Sequence, residues 1–198
     1  MLNNIPPANA THFQDKALPS PSTYARVIMA GLASDLLAFY SGGTGAAGDI
    51  GIVLNTIASS TLPQNIKTTL HQYLGPVSQN SPSPAAIFSA LGHTIQTLST
   101  IDPNMQSADT KNNAEEWFSD KLILTTYTPA AQCVHFAKFL ANYADMFIPK
   151  DSSNYNTLKA DVDHLEDTVF LQKNDYGSLA SLLSTFSSDL VRILTPPQ

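Results

Sequence analysis

The sequence predicts an all-α fold, a single multi-helix bundle of about seven or eight helices with little or no β structure. Three observations carry this. Apolar residues recur at three- and four-residue spacing along most of the chain. Helix boundaries are marked by Ser-Pro, Thr-Pro and Gly-Pro pairs. No segment alternates apolar and polar residues as a half-buried strand does. The best β candidates, Leu122 to Thr128 and Thr168 to Gln172, sit at the ends of helical patterns.

Taken in order, residues 1–20 form an irregular N-terminal arm rich in Asn, Pro, Ala and Ser. The helical domain spans 21–198. Its first helix carries Tyr24, Val27, Ile28, Leu32, Leu36, Phe39 and Tyr40 on one face. It starts at Ser20-Pro21 or Ser22 and ends at Gly42. A second, shorter helix holds Ile50, Val53, Leu54 and Ile57, with Asp49 as its N-cap. Ile66, Leu70, Tyr73 and Leu74 mark a third, closed by Gly75-Pro76. Ser83 caps a fourth, with Pro84 at its first position and Ile87, Leu91, Ile95 and Leu98 on its apolar face. The polar break from Asp102 to Asn113 is a candidate subdomain boundary. Asn113 and Glu116 open a fifth helix through Trp117 and Leu124. Thr128-Pro129 opens the sixth, with Cys133, Phe136, Ala137, Leu140, Tyr143, Ala144 and Phe147, ended by Pro149. Tyr155, Leu158, Val162, Leu165 and Val169 make a seventh. Leu179, Leu182, Leu183, Phe186, Leu190 and Ile193 make an eighth.

Charge narrows the function classes. Only 13% of the 198 residues are charged, against about 25% in an average protein. Lys16, Arg26 and Lys67 balance Asp15, Asp35 and Asp49 in residues 1–101, so the net charge of −6 lies wholly in the second half. There is no basic patch or stripe, which argues against nucleic acid as a partner. The nearly neutral front half suits a protein interface or a membrane contact. Cys133 is the single cysteine, so the chain forms no internal disulfide and no cysteine-based zinc site. The N-terminus has neither the basic nor the apolar region of a Sec signal, and no segment suits a transmembrane helix. The expected location is cytoplasmic, or exported by a route other than Sec.

Gly43, Gly45 and Gly48 spell G-x-G-x-x-G, the dinucleotide-binding spacing. The surrounding pattern does not support a nucleotide. The preceding Ser34-to-Tyr40 segment continues a helical stripe, and no acid follows Asp49 until Asp102 to hold a ribose. A phosphate-binding P-loop would need its lysine where Asp49 stands. Gly42, Gly43, Gly45 and Gly48 are therefore expected to form a hinge between two helices. The layout of 27–62, two low-charge helices flanking a flexible loop, resembles the hairpin of helical pore-forming toxins. Its spans are short of the ~20 residues that cross a bilayer, and Asp35 and Asn55 lie inside them.

Candidate chemistry is sparse. Asp161-x-x-His164 lies in the acidic run Asp161 to Asp167, but a di-metal bundle needs a second such unit and further carboxylates. Cys133 falls on the apolar stripe, and His135, two residues on, faces the opposite side. Cys133, His164 and Asp161 remain the candidates for an enzymatic site. No cofactor or metal is implied. The expected function is non-catalytic, through protein–protein contacts or self-association, as an assembly subunit or an exported effector or adaptor. A membrane-active protein using the 27–62 hairpin is the alternative. An enzyme of unrecognised type is third.

Overall fold

The computed structural model describes residues 19–40, 44–79, 82–105, 129–149, 151–170 and 176–196. These residues form eight α-helices and no strand, an all-α fold. The helices are α1 (Pro21–Ala33), α2 (Leu36–Tyr40), α3 (Thr44–Ser59), α4 (Gln64–Val77), α5 (Pro84–Ser99), α6 (Pro129–Ala144), α7 (Ser153–Phe170) and α8 (Tyr176–Leu194). A 3-10 turn, Asp145–Phe147, follows α6. The expected arm, the Asn113–Leu124 helix and the Leu122–Thr128 β candidate fall wholly or almost wholly outside the described residues. The rest of the second β candidate, Thr168 to Phe170, is helical.

Local chemistry sets several boundaries. Ser20 caps α1 by accepting the Thr23 N–H at 3.2 Å, and Pro21 fills the first position, where no N–H is needed. Ser83 does the same for Ala86 ahead of Pro84. At the other end of α3, Lys67 Nζ donates to the Ala58 carbonyl at 3.1 Å. Gly75-Pro76 does not close α4 as expected. The helix runs through Pro76 to Val77, because Ser78 returns its N–H and hydroxyl to the Leu74 and Gly75 carbonyls.

The first helix also departs from expectation. It is interrupted at Ser34-Asp35, and α2 restarts at Leu36. The Ala33 carbonyl at the break and the Leu36 carbonyl at the start of α2 receive side-chain donors from other helices. Ser187 Oγ of α8 donates to the Ala33 carbonyl at 2.6 Å, and Cys133 Sγ of α6 donates to the Leu36 carbonyl at 3.3 Å. The break is thus fixed by tertiary contacts rather than by local propensity.

The helices pack in a circuit: α5 on α4, α4 on α3, α3 on α1, α1 on α8, α8 on α7, α7 on α6. Helix α6 also touches α1, α2, α5 and α8, so it runs through the middle. Its residues Gln132 to Ala137 are all buried in succession, as a helix covered on every side requires. His135, expected on an opposite and outer face, is therefore buried as well. Phe39 and Phe136 meet edge to face at 6.0 Å near its centre.

Two polar clusters cross this core. In one, Tyr143 donates its hydroxyl to Asp102 Oδ2 at 2.5 Å, and the Asn104 N–H closes on Asp102 Oδ1 at 2.9 Å. Arg26 extends the cluster, lying 4.0 Å over the Phe147 ring and donating to the Ile193 carbonyl at 2.7 Å. That bond places a cation on the C-terminal end of α8, where the helix dipole favours it. The other cluster surrounds Asp35.

Candidate functional site

Helices α1 and α3 approach so closely that a side chain at Gly31 would meet Val53. A Cβ built there would stand 2.8 Å from Val53 Cγ2. Gly31→Ala is expected to destabilise the fold by about 1–3 kcal/mol, because the β-branched Val53 has little rotamer freedom to retreat. Urea unfolding checks this. Adding Val53→Ala should recover part of the loss, the non-additivity that marks a direct contact.

Above this contact lies an open groove of about 310 Å³ between α1, α3 and the end of α8. Val27, Gly31, Ile52, Val53 and Val191 supply its apolar wall. Ile52 stands on it with 63% of its surface exposed, the most exposed large apolar side chain described. The polar contribution comes from Ser34, Thr56 and Thr195. Each hydroxyl donates back to its own helix: Ser34 to the Gly31 carbonyl at 2.6 Å, Thr56 to Ile52 at 3.2 Å, Thr195 to Val191 at 2.6 Å. Their protons are used, so they present lone pairs to the groove. No charged side chain lines it.

Ser34 links the groove to the second polar cluster. Its hydroxyl lies 3.5 Å from Asp35 Oδ1. Asp35 is only 3% exposed, and its Oδ2 is enclosed without a direct hydrogen bond in good geometry. Burial, first, then proton sharing with and repulsion by the Asp49 carboxyl of α3, push the Asp35 carboxyl up to about 8. Its side chain is therefore mostly protonated at neutral pH.

The residues singled out in the sequence are not gathered here. Helix α3 begins at Thr44, so Gly45 and Gly48 lie in its first turns and not in a hinge, and Asp49 is inside the helix and not its N-cap. Gly42 and Gly43 lie outside the described residues. Cys133 is fully buried, and burial pushes its thiol up to about 12, which leaves almost no thiolate at neutral pH. His164 is exposed on α7. Asp161, one turn before it, is raised by burial and by Asp189 and lowered by His164. The described residues contain no group of three or more His, Cys, Asp or Glu side chains that could hold a metal ion. Elsewhere, His93 is stacked on Tyr73 at 4.2 Å and His71 is exposed.

Sequence reasoning noted Asp35 only as a charge within an apolar helix, and missed the groove. The available signals were that acid and an isolated glycine, Gly31, inside the same apolar stripe. No family model, curated protein sequence or solved structure gives a match to this chain. No described helix is long and apolar enough to cross a membrane.

Proposed function

We propose that the protein acts without catalysis, through protein–protein contacts made at the α1–α3 groove, as an assembly subunit or an exported adaptor. The observation that carries this is Ile52, left 63% exposed on an uncharged apolar groove. A folded chain gains by covering such a side chain, at roughly 25 cal/mol per Å² of apolar surface removed from water. The groove suits aliphatic side chains of an opposing helix, with N–H or hydroxyl donors placed against the Ser34, Thr56 and Thr195 lone pairs. The balanced charge of residues 1–101 supports the same reading, because a neutral face meets a partner without long-range repulsion. The shielded Cys133 thiol weighs against the enzymatic alternative that used it.

The test is Ile52→Glu. Binding, followed by pull-down for a partner and by light scattering for self-association, should weaken by about 2 kcal/mol, roughly 30-fold. The thermal midpoint should barely move, since the position is exposed. A wild-type chain that stays monomeric at high concentration and captures nothing specific would remove the proposal. So would capture that is unchanged by the substitution.

A further inference from the structure

We propose that the occupant of the α1–α3 groove is a second copy of this chain, related by a two-fold axis, with Ile52 of each copy seated in the groove of the other. This names the partner of the groove and so rests on the reading above. Shape is the first argument. Ile52 rises from the α3 side of the groove with 63% of its surface exposed, so one face carries an apolar knob beside an apolar hole. A two-fold pairing covers both, because an isologous interface sets the same knob against the same hole twice. A different partner would need a knob of its own for the groove and a separate pocket for Ile52.

Hydrogen bonding and charge point the same way. The groove offers acceptors, because the Ser34, Thr56 and Thr195 hydroxyls give their protons to their own helices. Asn55, exposed one turn after Ile52 on the same side of α3, carries two N–H donors to set against the hydroxyls of the other copy. The exposed side chains of α3 from Ile52 onward are Ile52, Asn55, Ala58 and Ser59, none of them charged. The net charge of −6 lies in residues 102–198. Of its acids, Asp151 and Asp163 are exposed just before and within α7. Helix α7 packs on α6 and α8, whereas α3 packs on α1, α2 and α4. Copies that meet through α3 therefore oppose no like charges, and copies that met through α7 would set acid against acid.

Sedimentation of the purified chain tests this. It should show a monomer–dimer equilibrium with no larger species, because a closed two-fold pair leaves no knob or groove free. Raising NaCl from about 0.05 M to about 1 M should change the dimer Kd by no more than about threefold, since the interface has no charges to screen. Ile52→Ala removes the knob and Thr195→Trp fills the groove from an exposed position, and each should raise the Kd about tenfold or more. Mixed together, the two variants should form a heterodimer about tenfold tighter than either alone, because an intact knob again meets an intact groove. Thermal midpoints check that both variants fold. If Thr195→Trp does not, Ile52→Ala and the salt series carry the test. A dimer unaffected by Ile52→Ala, a Kd raised about tenfold by salt, or a mixture of folded variants no tighter than its components would each overturn the self-pairing. A chain that stays monomeric but captures a different protein through position 52 would overturn it and leave the groove reading standing. A monomer that captures nothing would remove both.

Discussion

Replacing Tyr143 with phenylalanine is expected to lower stability by about 3 kcal/mol, because it strips a donor from a buried carboxyl. For a chain of this length that is roughly 6–12 °C in Tm. Asp102 is fully buried, and its two oxygens have one short bond each, to the Tyr143 hydroxyl at 2.5 Å and to the Asn104 N–H at 2.9 Å. Burial first, then the bond to Asp102 and its negative charge, push the Tyr143 phenol far up, so it stays a donor at every working pH. Phenylalanine keeps the ring in place, stacked near Phe139 and edge-on to Phe147. The packing is retained and only the hydrogen bond is lost. Thermal unfolding measures the single variant. The Tyr143→Phe, Asp102→Asn pair should fall short of the sum of its parts, since both changes break one interaction. A Tm within about 1 °C of wild type would mean that water satisfies Asp102 instead.

The second large effect is a stability that falls as pH rises. The Asp35 carboxyl sits at about 8 in the fold, against about 3.9 in an unfolded chain. Between these values the folded protein holds a proton that the unfolded chain has released. Unfolding therefore becomes easier with each step up in pH across the window from about 4 to about 8, and this group contributes no slope outside it. One proton gives at most about 1.4 kcal/mol per pH unit, and relaxation around the buried acid reduces that by about half. Urea unfolding from pH 5 to pH 9 measures it. Asp35→Asn should flatten this part of the profile and be more stable than wild type at pH 9, since it removes a buried charge and keeps the shape. A wild-type chain most stable at pH 9, or a variant with the same slope, would contradict this assignment.

The parts of the fold legible in the sequence were those set by local chemistry. Ser20-Pro21 and Ser83-Pro84 mark helix starts because a hydroxyl and a missing N–H solve the same end problem. The apolar stripe of α6 was legible because Cys133, Phe136, Ala137, Leu140 and Ala144 recur at helical spacing, while the burial of Gln132 and His135 between them was not. What the sequence hid was decided by distant contacts. The α1–α2 break depends on donors from Ser187 and Cys133, which lie 154 and 97 residues from the carbonyls they serve. Gly45 and Gly48 read as a joint because glycine costs about 1 kcal/mol in a helix interior, yet packing of α3 against α1, α2 and α4 carries the helix through them. The groove was invisible for the same reason, since it exists only where Gly31 admits Val53.

The contact role of the groove is tested most directly by a photo-cross-linking side chain placed at position 52, with one at the exposed Asn156 of α7 as reference. Covalent capture of a defined partner, or of a second copy of the chain, from position 52 and not from position 156 is the expected result. No capture from position 52, or equal capture from both, would contradict it.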